Sequence, residues 1–155
     1  MSDNPYMTSE QVLAYWLGHR GLTRRVIEAF PDDQFSTFSI GGMRTCADLV
    51  REMLQMAAPT VEGAATRTWP NTPPRELSTK ADFLAAWDAD TASIEELWPQ
   101  IPSGRFQEDD VAFGQWPGKV SWLIQYIVDN ETHHRAQAYV YLRALGIEPP
   151  GFWDR

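Results

Sequence analysis

Asn130 and His134 lie one helical turn apart on a stripe that is otherwise apolar. The stripe is Leu123, Ile127, Asn130, His134, Ala138, Tyr141 and Leu145, at helical spacing. Burying an amide and an imidazole without partners costs roughly 1–3 kcal/mol each. Groups from another helix must therefore meet them. The inward-facing polar candidates are His19 in the first helical segment and Glu52 in the second. An imidazole, a carboxylate and an amide oxygen converging inside a helical assembly can hold a divalent metal or support acid–base chemistry. His133 is rotated by about 100° from His134, so the two imidazoles do not share a centre. Without a metal the trio satisfies itself, with Glu52 accepting from His134 and from the Asn130 amide.

Four amphipathic segments must position these residues. The first follows Thr8, with Gln11 at the capping-box position, and carries Val12, Tyr15, Trp16, His19, Leu22, Val26 and Phe30 before Pro31. Asp32 to Arg44, with Gly41-Gly42, reads as a loop. The second starts at Thr45 with Cys46, Leu49, Val50, Met53, Met56 and Ala57, and Pro59 ends it or kinks it toward Glu62. Gly63 to Leu77 holds Pro70, Pro73 and Pro74 and forms a long connection. The third opens at Ser78 or Thr79 and carries Phe83, Trp87, Ile94, Leu97 and Trp98 before Pro99. Ile101 to Gly114 is irregular. The fourth enters at Pro117 and runs to Leu145, stopped by Gly146, Pro149 and Pro150.

No alternating strand pattern of any length appears. The economical arrangement is all-α, a single four-helix-bundle domain over residues 1–155 with long inter-helix connections. The hydrophobic fraction of 43% and seven tryptophans support a packed core. A net charge of −8 with no basic run disfavours a nucleic-acid partner. Arg20, Arg24 and Arg25, the one small basic cluster, read as a solvated outer face of the first helix. No run of about 18 apolar residues spans a bilayer, and the MSDNPYM terminus shows no secretory signal. The single cysteine, Cys46, rules out an internal disulfide and fits a cytoplasmic location. It reads as a small buried hydrophobe.

The string NETHHRAQAYVYLRALGIEPP resembles the C-terminal signature of the DinB-like proteins, small bacterial four-helix bundles. That signature reads His-Glu-x-His-His-Arg-Gly-Gln, then an aliphatic stretch with Leu-Arg, Gly and Pro-Pro. GGMRTCADLVREM is similar to the family's Met-Arg-Ser entry to helix two, so the likeness spans nearly the whole chain. The resemblance implies a divalent-metal site of three histidines, one from helix two and two from helix four. His134 matches the third histidine, Asn130 stands at the second and Glu52 at the first. Arg135 and Gln137 match the motif, and Ala136 replaces its glycine. A Glu52/Asn130/His134 centre with waters is expected to hold Zn²⁺, Ni²⁺, Mn²⁺ or Fe²⁺ more weakly than three imidazoles.

Two functions follow as expectations. One is a metal-dependent enzyme acting on a small molecule, of thiol-transferase or hydrolase type. In it the ion acidifies a thiol or water, and His19 serves as acid or base. Tyr15, Trp16, Trp87 and Tyr141 would line its apolar pocket. The other is a non-catalytic, metal-free ligand-binding or stress-related bundle. The tail aromatics Phe152 and Trp153 must pack on their own bundle or on a second subunit, so a homodimer is an expectation.

Overall fold

A computed structural model describes residues 5–155; the first four residues of the MSDNPYM terminus lie outside the described residues. The long helices are α1 (Ser9–Ala29), α3 (Cys46–Thr66), α4 (Lys80–Leu97) and α5 (Val120–Ala144), with a one-turn α2 (Asp32–Phe35) between the first two. α1 and α3 each pack against both α4 and α5, so they occupy opposite corners of a four-helix bundle. None of the described helices is long and apolar enough to cross a membrane.

The helix ends obey their local chemistry. Thr8 and Thr79 make capping boxes with Gln11 and Asp82, and Thr45 accepts from the Asp48 amide. Gly146, at φ +77°, closes α5 in a Schellman arrangement in which Ile147 N–H donates to the Leu142 carbonyl at 2.9 Å.

Four expectations are corrected. The loop after Pro31 contains α2, whose Phe35 is buried in edge contact with Phe30 and Phe83. The second helix runs through Pro59 to Thr66, because Val61 and Ala64 are fully buried and their packing outweighs the lost hydrogen bond. Residues 109–119 form a hairpin, β1 (Asp109–Ala112) against β2 (Trp116–Lys119), with Ala112 opposite Trp116. Each strand has only four residues, too few for alternation to register. Pro117 therefore belongs to β2, and α5 begins at Val120.

Arg20 overturns the fourth expectation. It is 1% exposed and lies against Trp87 with its guanidinium carbon 4.0 Å from the ring centroid. It belongs to a polar belt that interrupts α1, α4 and α5 between two apolar clusters. One cluster centres on Phe30, Phe83, Trp87 and Tyr141, the other on Trp16, Val61, Ile94 and Ile124. In the belt, Glu131 accepts from Trp16 Nε1 at 3.0 Å and Thr23 Oγ1 at 2.7 Å, and lies 3.7 Å from Arg20. Arg135 donates to the His19 carbonyl and to Thr23, both at 3.1 Å. The His19 ring sits between Arg135 and Arg155, each 2.8 Å from one ring nitrogen. Burial first, then the Arg135 and Arg155 charges, push His19 down to about 4.

Two measurements test the belt. Glu131→Ala leaves a buried Arg20 charge and an indole N–H unmet, and is expected to cost about 3–5 kcal/mol in urea unfolding. Arg24→Ala, at the solvent-exposed pair with Asp88, is expected to cost under about 1 kcal/mol. His19 is neutral when folded and protonates near pH 6.5 when unfolded. The native state therefore holds its full contribution above about pH 6.5 and loses roughly 2–3 kcal/mol as pH falls toward 4. Relative to the parent, His19→Asn is expected to flatten the stability profile across that window. Parallel profiles would show that His19 does not titrate as a neutral buried ring.

Candidate functional site

Helical spacing on α3 places Glu52, Met56 and Thr60 along one face, and α3 packs beside α5. On α5 the same geometry presents Leu123, Ile127, Asn130 and His134. At the seam, Glu52 Oε1 accepts from Asn130 Nδ2 and lies against His134 Nε2, both at 3.0 Å. The Arg44 guanidinium bonds Glu52 Oε2 and lies 3.5 Å from His134 Nε2. Arg44 immediately precedes the Thr45 cap, and Tyr141 Oη donates to its carbonyl at 2.7 Å. His134 Nδ1 faces Gln137 Oε1 at 2.9 Å, so as placed both ring nitrogens meet acceptors. Burial acts to raise the Glu52 carboxyl, but hydrogen bonds from Arg44, Asn130 and His134 outweigh it and hold it at about 2.

Glu52 also lines a groove of about 650 Å³. Met56, Leu123 and Ile127 give it apolar surface, and Phe113, Trp116, Trp122 and Tyr126 give it aromatic walls. The hairpin carries Phe113 and Trp116, and Arg105 clamps it to the end of α3. Arg105 is 2% exposed, donates to the Ala64 carbonyl at 3.1 Å and pairs with Glu108 and Asp110. This satisfies a carbonyl at the end of α3 that no helical N–H reaches. Trp69 lies flat over Gly63, where any Cβ would fall inside the indole. The same tryptophan bonds Asp110 and meets the Phe113 ring edge-on, which brings Pro70, Asn71 and Thr72 to the groove.

The other expected site residues fall elsewhere. The hydrogen bonds of His19 are with α1, Arg135 and Arg155, and none reaches Glu52, Asn130 or His134. Trp16, Trp87 and Tyr141 are core residues, and Tyr15 is exposed beside His19. Cys46 is buried, and burial pushes its thiol far above the ordinary range. The tail is tied to α1 through Arg25–Asp154 and Arg155–His19, while Phe152 and Trp153 remain exposed. Arg44, Thr60 and the aromatic wall were not anticipated. Trp122 and Tyr126, one turn apart and off the apolar stripe, were the available signal.

The donor set does not suit the divalent ion that a three-histidine site would take. Among the described residues no three His, Cys, Asp or Glu side chains converge. Glu52 and His134 are bonded to each other, and a guanidinium already occupies the cationic position beside both. Asn130 Oδ1 is buried and has no hydrogen-bond partner among the described residues. An amide oxygen alone is a weak ligand.

The whole-chain comparisons agree with this architecture. The DinB family model matches residues 1–154. The uncharacterized protein YjoA of Bacillus subtilis is 25% identical over 144 residues, covering 89% of this chain and 91% of that protein. The crystal structure of that DinB-like protein superposes with a TM-score of 0.77 at 19% identity, over 94% of this chain and 99% of that one. A DinB-like protein from Bacillus cereus gives 0.75 at 19% identity, over 95% and 99%. With its helical bundle and a family match along nearly its full length, the chain belongs to the DinB family.

Proposed function

We propose that this DinB-family chain is a metal-free binding protein for a small organic ligand, seated in the groove between α3, α5 and the hairpin. The observation that carries the reading is the Arg44 guanidinium, bonded to Glu52 and against His134, where a metal's charge would otherwise sit. A fixed organic cation satisfies the carboxylate without coordination chemistry. The groove beside it has the size and mixed apolar and polar lining of a ligand site. Homodimerisation belongs to the same proposal, supported by the exposed Phe152 and Trp153.

A second reading keeps a divalent-metal-dependent enzyme, and the unpartnered Asn130 Oδ1 favours it. With Arg44 withdrawn, Glu52, Asn130 and His134 would be the ligands of Zn²⁺, Ni²⁺, Mn²⁺ or Fe²⁺. The ion would supply acidification of a bound thiol or water.

Metal analysis of untagged protein, dialysed separately against Zn²⁺, Ni²⁺ and Mn²⁺, separates the two. The expected result is far below one ion per chain, with Arg44→Ala raising uptake because the competing charge is gone. Near-stoichiometric metal that is lost in Glu52→Ala and His134→Ala would replace the first reading with the second. Light scattering checks assembly: a two-chain mass is expected, falling toward one chain in Trp153→Ser.

A further inference from the structure

The α3 side of the groove is a row of acceptors short of donors. Glu52 Oε1 is occupied by Asn130 and His134, but Oε2 meets only Arg44, so one of its lone pairs is unused. The Glu52 side chain is 32% exposed, and that exposure opens on the groove. Two turns on, Thr60 also lines the groove, is 2% exposed, and its hydroxyl has no partner. A helical threonine ordinarily returns its hydroxyl to the carbonyl four residues back, and Thr60 makes no such bond. Between them, Pro59 has no N–H, so the carbonyl of Gln55, another lining residue, loses its helical donor.

The facing wall consists of flat rings. Phe113, Trp116, Trp122 and Tyr126 line it, with Trp122 and Tyr126 tilted by 33° at 5.9 Å between centroids. Among the described residues no lysine, arginine or histidine lines the groove, and Glu52 is the only charged one that does. An anion entering here would meet a carboxylate, and the nearest countercharge, Arg44, is already bonded to that carboxylate and does not line the groove. A cation would meet the carboxylate, the negative faces of the rings and a chain carrying a net charge of −8.

We infer that the groove takes a flat organic cation with N–H donors, of the arylamidine or amino-heterocycle class, stacked on Trp122 and donating to Glu52 and Thr60. The inference rests on the metal-free reading of the site. Glu52 supplies the charged anchor, its Oε2 shared between Arg44 and the ligand. Thr60 and the Gln55 carbonyl accept from a second donor edge, and Trp116 on the hairpin closes the aromatic side. Glu52 and Thr60 are separated by roughly 12 Å along the helix, so a fused-ring ligand reaches both ends where a single ring does not.

Three probes that share a 6-amino donor edge test this by calorimetry and tryptophan fluorescence in EDTA: 6-amino-2-naphthamidine, (6-amino-2-naphthyl)trimethylammonium and 6-amino-2-naphthoate. Naphthamidine is expected to bind one per chain, at least about tenfold more tightly than the other two. Glu52→Gln is expected to weaken it about tenfold, and Thr60→Val about threefold. Trp122→Ala, at an exposed position where folding is not at risk, is expected to weaken it and reduce the fluorescence change. Equal or tighter binding of naphthoate or the trimethylammonium probe overturns the inference. So does absence of naphthamidine binding, or unchanged affinity in both Glu52→Gln and Trp122→Ala. A repeat with Zn²⁺ keeps the two readings apart. Naphthoate affinity that appears only with Zn²⁺ and vanishes in His134→Ala overturns the metal-free reading itself, whereas failure of naphthamidine with no zinc effect overturns only the ligand class.

Discussion

A carboxylate withdrawn from water must be met by donors, and in this bundle that requirement governs how the helices sit against one another. Glu131, 1% exposed, is met from α1 by Trp16, Thr23 and Arg20. Arg20 in turn donates to Thr91 Oγ1 at 2.8 Å and to the Trp87 carbonyl at 3.2 Å, which brings α4 into the same layer. Sliding α1 along α5 by one turn would separate these groups and leave charge unpaired in a low-dielectric interior. The apolar clusters on either side supply most of the burial but are permissive about register. The polar belt is not.

Glu52 is the second carboxylate at this level, and its position at the edge of the bundle gives it a different role. It is met from α5 by Asn130 and His134 and from the loop before α3 by Arg44, yet a third of its side chain remains open. The same residue therefore ties the α3–α5 seam and borders the groove. A family centre expected to hold a cation has here an organic cation of its own, carried by the backbone that Tyr141 holds. The replacement is consistent in charge: a carboxylate where an imidazole is expected calls for a positive group, and Arg44 provides it.

Much of the scaffold was legible in advance because it rests on local rules. Thr8, Thr45 and Thr79 open helices by accepting hydrogen bonds from free amides at a side-chain oxygen, and Gly146 closes one by adopting positive φ. Failures came where long-range packing overrode local preference. Pro59 does not end α3, since burial of Val61 and Ala64 holds the chain helical beyond it. The hairpin depends on Arg105 gripping α3 from 41 residues away, and its four-residue strands carry no pattern of their own. Arg20 looked like one of three solvated arginines because its partner, Glu131, is 111 positions distant and itself hidden in a polar stretch.

The amino-acid order by itself determined the four amphipathic stripes, most of their caps, and the facing of Asn130 and His134 into the bundle, since these follow from periodicity and backbone hydrogen-bonding needs of neighbouring residues. Only the folded chain decided which groups meet there. It set Arg44 against Glu52, sent His19 to a separate pair of arginines, and turned aromatics that looked peripheral into a wall. The reason is physical: helical spacing specifies the direction of a side chain, whereas its partner depends on how far one helix slides and turns against another, and that is set by the summed packing and charge pairing of the whole bundle.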